Sequence, residues 1–229
     1  METEIFKYVI FGLILAYIPL WTQINLFILS LGRSKNPVTV IKDKAISKLL
    51  LEKTDTRLES IKISESYLLF GMMIGIPTLP QLILSRGVYD SFTKDELEYV
   101  VLHEAGHYKL WHSVKELVVG IMFFLIGVYI LSKMFFGNEG IIVAVLLGVV
   151  FGILMIQIGR MKELEADSYT LERISNPQGM ITATYKFREA YKSRSSNNQL
   201  IRFLLYRGNP YENRIRMANK EIERRKSTS

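Results

Sequence analysis

The sequence predicts a mainly α-helical molecule with a small β-sheet, joined to about three transmembrane helices. Three observations predict it. Long apolar runs recur along the 229-residue chain, a capping signal at Thr93 opens an unbroken helical stretch, and a β-prone run bounded by prolines precedes that helix. Apolar residues make up 49% of the chain and are concentrated, not spread.

The apolar runs set the organisation. Tyr8 to Leu31 and Ile141 to Gly159 hold no charge, and Leu117 to Phe136 holds only Lys133, near one end. Each is about the length a helix needs to cross a hydrocarbon core of ~30 Å. In the first run Ser30-Leu31-Gly32 has the small-x-small form of a signal-peptide cleavage site. Its apolar stretch exceeds the ~7–15 residues of a signal core, however, and Lys7 follows Glu2 and Glu4, so the flank is not basic. A membrane anchor fits better. Three buried core helices would leave too little amphipathic sequence to wrap around them. The expected division is an N-terminal anchor at 1–31, a polar catalytic part at 32–116, a transmembrane hairpin at 117–159 and a second polar part at 160–229.

A net charge of +7 raises nucleic acid as a partner, but the Lys and Arg residues flank the apolar runs instead of forming one stripe. They crowd Arg33 to Lys115 and Arg160 to Lys226, and are absent from the turn Gly137-Asn138-Glu139-Gly140. By the positive-inside rule both polar parts face the cytoplasm. The expectation is an integral protein of a prokaryotic cytoplasmic membrane, with the lipid bilayer as a partner, no nucleic acid, and its working face in the cytoplasm. The chain has no cysteine, which excludes disulfides and thiolate metal sites.

Between these landmarks, Asp43 to Lys53 reads as a moderately amphipathic helix. Ile74 to Pro80 is dense in turn formers and leads into Gln81 to Leu84, a β-prone run whose prolines suit an edge strand. Thr93-Lys94-Asp95-Glu96 has the spacing of a capping box, so a helix starts there and continues, with no proline, to about Leu110. The last apolar run likewise passes through Ile158 into Met161 to Asp167 without a breaker.

Those two helical stretches carry the chemistry. All three histidines, His103, His107 and His112, fall within ten residues, and two of them flank a glutamate in His103-Glu104-Ala105-Gly106-His107. Positions i and i+4 share a helix face about 6 Å apart, so two imidazoles can reach one ion while Glu104 points to where an activated water would sit. A catalytic zinc needs a third protein ligand and an open fourth position. A histidine ligand of the metzincin kind is excluded, because position 110 is Leu110 and position 113 is Ser113. Glu163 and Asp167, one turn apart, suit a ligand and a carboxylate that orients a ligand histidine; Glu165 is the rival ligand. His112 falls off the ligand face, as an interfacial or orienting residue. Tyr108 and Trp111 suit the headgroup level.

The stretch from Glu96 to Val114 and the later Arg160-Met161-Lys162-Glu163-Leu164-Glu165-Ala166-Asp167 resemble the HtpX and CaaX prenyl-endopeptidase family of integral-membrane zinc metallopeptidases. The resemblance extends back to Leu82–Leu84 with Ser85-Arg86-Gly87, and forward to Asn209-Pro210-Tyr211-Glu212-Asn213-Arg214, covering about the last two thirds of the chain. It implies a zincin-like domain of the gluzincin type with one zinc per chain on His103, His107 and Glu163. It further implies Glu104 as base and acid, Asp167 as the group orienting a ligand, and an edge strand near Leu82–Leu84 that binds substrate in extended form. The family often has a histidine just before the C-terminal proline; here Gly208 or Asn209 stands there, which leaves Arg214, Tyr206 or Asn209 to face a developing oxyanion or the substrate. Three spans cannot enclose the large chamber of the CaaX enzymes. The implied function is an HtpX-like endopeptidase acting on membrane or membrane-proximal proteins in quality control, with a homo-oligomer left open. The alternatives are a processing protease for lipidated peptides and a non-catalytic membrane scaffold with a structural metal.

Overall fold

A computed structural model describes residues 37–76, 79–134, 138–191 and 210–228; the anchor expected at 1–31 lies outside them. Strands β1 (Val38–Ile41), β2 (Ile61–Ser64), β3 (Gly71–Ile76) and β4 (Leu79–Ser85) form one mixed sheet in the order β1-β2-β4-β3. β2 and β4 run parallel, with Ile63 opposite Leu84, and the other two pairings are antiparallel. The strand expected at an edge is therefore an interior one. Leu82, Ile83, Leu84 and Ser85 are all buried, as a strand flanked on both sides requires. Pro80 pairs with Gly75 of β3 but lies before the stretch that β2 accompanies, so its missing N–H falls where the strand has one neighbour. β3 is the edge.

Helices α1 (Lys44–Thr54), α2 (Arg86–Ser91), α3 (Lys94–Lys109), α4 (His112–Met134), α5 (Asn138–Leu171), α6 (Gln178–Ala190) and α7 (Tyr211–Thr228) make up most of the described chain. The Asp43 carboxylate caps α1 by accepting from the Ala45 and Ile46 amides. At α3 the capping box is complete: Thr93 Oγ1 accepts from the Glu96 amide and Glu96 Oε2 accepts from the Thr93 amide at 2.7 Å. Asn138 to Gly140, expected as part of a turn, already belong to the first turn of α5, which then runs unbroken for 34 residues.

α3 packs against β3, α1, α5 and α6. Tyr99, Val100, Val101, Leu102, His103 and Ala105 are all buried on it, because a helix enclosed on most sides has no polar face to spare. Its neighbours contribute Leu50, Ile61, Ile63, Leu82 and Met180 to the same core. The central position gives α3 little freedom to move, and it is the helix that carries His103, Glu104 and His107.

Among the described residues no single helix is long and apolar enough to cross a membrane; α3 and the first part of α4, bent by 43° at their junction, meet that length and composition only as a pair. The surface of α4 and α5 is nonetheless strongly apolar. Met122, Leu125, Leu146 and Val150 are each more than half exposed.

Candidate metal centre

His103 and His107 stand one turn apart on α3, and their Nε2 atoms lie 3.1 Å from each other. From α5, Glu163 brings Oε2 to 3.4 Å from His103 Nε2 and Oε1 to 3.4 Å from His107 Nε2. Donor atoms of these three residues all lie within 4.8 Å of one another. Tetrahedral zinc with bonds of ~2.0–2.1 Å holds its donors about 3.4 Å apart, so two nitrogens and a carboxylate oxygen at this spacing fit the ion in both chemistry and size. Two imidazole lone pairs 3.1 Å apart also need something electropositive between them, a proton or a metal.

Gly106 allows the two ligand helices to approach. A Cβ at Gly106 would lie 3.2 Å from Tyr169 Cδ1 and 3.3 Å from Ala166 Cα, and any larger side chain would push α5, with Glu163 on it, away from α3.

Behind the ligands sits a charged brace. Asp167 is fully buried; its Oδ1 is 2.9 Å from His103 Nδ1 and accepts from Tyr99 Oη at 3.1 Å. Arg214, from α7, donates Nε–H to Asp167 Oδ2 at 2.9 Å and an Nη–H to Glu163 Oε2 at 2.6 Å. One guanidinium fork thereby joins Glu163 of the donor group to the carboxylate beside His103. Arg214, expected among the oxyanion donors, has two of its nitrogens turned to this task; Tyr206 and Asn209 lie outside the described residues.

These contacts set the protonation of the metal-free group. Burial alone would lower the His103 value, but Asp167 and then Glu163 outweigh it and raise it to about 10. Burial works against ionisation of Glu163 too, yet its hydrogen bonds with His103 and His107 hold its carboxyl well below the usual carboxylate range. Glu104 moves the other way. Burial pushes its carboxyl upward, and its interactions with His103 and His107 offset this only in part. Its Cγ would be 3.1 Å from a Cβ at Gly71, which places the carboxylate-bearing residue directly against edge strand β3.

Glu165, the rival ligand, is not in the donor group. It faces His112, whose Nε2 lies 2.9 Å from Glu165 Oε2 and whose Nδ1 lies 2.8 Å from His107 Nδ1. His112 stands outside the donor group, as expected from the sequence, and meets the far side of the His107 ring. Tyr99 is the residue that the sequence analysis does not name, although its place four residues before His103 puts both on one face, with ring centroids 5.8 Å apart.

Three comparisons bear on this geometry. A sequence profile described as Peptidase family M48 matches residues 53–222. No curated protein matches the chain. The crystal structure of S. mikatae Ste24p superposes with a TM-score of 0.63 at 19% sequence identity, covering 93% of this chain and 56% of that one. The chain thus spans little more than half the length of that similar structure, and the likeness is one of fold.

Proposed function

This chain belongs to peptidase family M48, as the resemblance read from its motifs implied, and from that premise we propose that it is a membrane-embedded zinc endopeptidase. The observation that carries the reading is the donor group His103, His107 and Glu163 with Glu104 beside it. A bound zinc would supply acidity to a water and polarise a scissile carbonyl. Glu104 would take the water's proton and deliver it to the leaving amine; burial raises its pKa, the direction that favours a carboxylate able to hold the proton between the two transfers. Asp167 and Arg214 keep His103 and Glu163 in place during the exchange. A structural metal would have no use for Glu104, which weighs against the scaffold alternative.

β3 supports a mode of substrate binding. Among the described residues it ends the sheet, and Gly71 sets its first residue against Glu104. A peptide added to that edge in extended form would pass beside the general base. The strand near Leu82–Leu84, being interior, is not available for this; of the two edges, Gly71–Ile76 is the one set against Glu104, which makes it the substrate strand in this reading.

Exposed apolar side chains on α4 and α5 support a membrane location. Leu125 is 58% exposed and Val150 56%, within two long runs that Lys and Arg flank but do not enter save at Lys133. Soluble monomers rarely expose so much contiguous apolar surface. Glu163 lies four residues past the run that ends at Gly159, roughly 6 Å along the helix, so substrates are membrane proteins or their juxtamembrane loops. With the positive flanks inside, the site faces the cytoplasm, and removal of damaged membrane proteins is the role this placement suits.

The test is cleavage of a membrane-protein substrate in proteoliposomes by wild type and Glu104→Gln. The variant is expected to keep its zinc and lose about 10²–10⁴-fold in rate. Undiminished cleavage by Glu104→Gln would contradict the proposal, and cleavage only of substrates with a lipidated terminus would shift the substrate class to lipidated peptides.

A further inference from the structure

His112 takes no part in the chemistry just described, yet it is 1% exposed and engaged on both ring nitrogens. The direction of its hydrogen bonds follows from His107. His107 Nε2 faces His103 and Glu163, and a ring nitrogen that binds a metal must offer its lone pair. The His107 proton is then on Nδ1 and is donated to His112 Nδ1 across 2.8 Å. His112 accepts there, so it keeps its own proton on Nε2 and donates it to Glu165 Oε2 across 2.9 Å. Carboxylate, imidazole and ligand imidazole line up with every proton pointing the same way.

The backbone is shaped to make this contact. On a continuous helix of 3.6 residues per turn, side chains five apart point about 140° away from each other and cannot meet. Here α3 ends at Lys109 and α4 starts at His112, and between them Trp111 has φ 58, a left-handed conformation that a bulky non-glycine residue rarely adopts. The axis turns by 43°. That break resets the helical phase and swings His112 back over His107, with ring centroids 4.9 Å apart at an interplanar angle of 72°. α5 supplies Glu165 two residues after Glu163, so one helix provides both a ligand and the far end of the second ligand's support.

We propose that His112 and Glu165 are a positioning pair that fixes the tautomer and ring orientation of His107 for metal binding, as Asp167 does for His103. The proposal rests on the zinc reading above. Its geometry differs from the Asp167 arrangement in one respect: a carboxylate acts through an intervening imidazole, and the second imidazole is delivered by a strained break in the helix.

The experiment measures zinc affinity of the full chain in detergent micelles, by competition with a chromophoric chelator, for wild type, His112→Ala, His112→Asn and Glu165→Gln. Visible spectra of the cobalt(II)-substituted proteins accompany it. His112→Ala is expected to weaken zinc binding about 10- to 100-fold, the range found when a partner of a ligand histidine is removed. His112→Asn, whose amide oxygen falls where Nδ1 was, is expected to restore most of that affinity and a wild-type cobalt spectrum. Glu165→Gln, an exposed conservative change that folding will tolerate, is expected to fall between them. Zinc affinity in His112→Ala and Glu165→Gln equal to wild type would overturn the positioning role while leaving the zinc site intact. A folded His112→Asn as weak as His112→Ala would also overturn it, since packing and not the hydrogen bond would then be responsible. A wild-type chain that binds no zinc would overturn the zinc reading itself, and this proposal with it.

Discussion

His103 Nε2 and His107 Nε2 face each other at 3.1 Å, and what lies between them decides the charge of the site. In the metal-free chain Asp167 and Glu163 hold the His103 value up at about 10 against the lowering effect of burial, which favours a protonated imidazole there. A raised folded value contributes stability that is fully present below the unfolded value of ~6.5 and is lost as pH rises through the folded one. The metal-free protein is therefore expected to lose melting temperature between pH 7 and pH 10. At pH 7.5 zinc must displace that proton, so calorimetric titrations in buffers of differing ionisation enthalpy are expected to report release of about one proton per zinc; none released would contradict the assignment. At this scale the pairing of His103 with His107 was legible, because spacing along one helix brings the two together. Arg214 was not, since its contact with Asp167 spans 47 residues and joins two helices, and nothing in the local pattern near Arg214 says which carboxylates it meets.

The elements explain why the ligands hold their spacing. α3 starts at a complete capping box and is enclosed along most of its length; the first feature was readable from Thr93 and Glu96, the second was not, because charged and polar residues fill at least half of the helix and its enclosure comes from partners distant in sequence. Approach of α5 depends on Gly106, where a Cβ would be 3.2 Å from Tyr169 Cδ1 and 3.3 Å from Ala166 Cα. Gly106→Val is expected to destabilise the fold by about 1–3 kcal/mol through overpacking and to weaken zinc binding by moving Glu163 outward. Chemical denaturation and chelator competition check the two effects, and a variant with wild-type stability and affinity would contradict the close-packing argument. The sheet was harder to read. β1 and β2 have four residues each, too short for alternation to register, and the parallel partnership of β2 with β4 joins residues about twenty apart, so the prolines near β4 pointed to an edge that the fold places one strand away. The end of α3 near Leu110 was expected, but the left-handed backbone at Trp111 was not, since no glycine or asparagine marks it.

For the whole molecule, α4 and α5, which adjoin the candidate metal centre in sequence, carry an exposed apolar surface. Hydropathy made that surface legible from the start, because apolar runs of this length do not depend on tertiary contacts. If it lies in the bilayer, the protein expressed in its host membrane is expected to stay with the membrane fraction after alkaline carbonate washing and to leave it only with detergent. Release by carbonate alone would contradict the membrane proposal without touching the metal site. The most direct measurement is zinc-edge X-ray absorption on the purified full chain. One zinc per chain is expected, with two imidazole nitrogens and oxygen donors at about 2.0–2.2 Å; a chain that carries no zinc, or a zinc with any number of imidazoles other than two, would contradict the assignment of His103, His107 and Glu163.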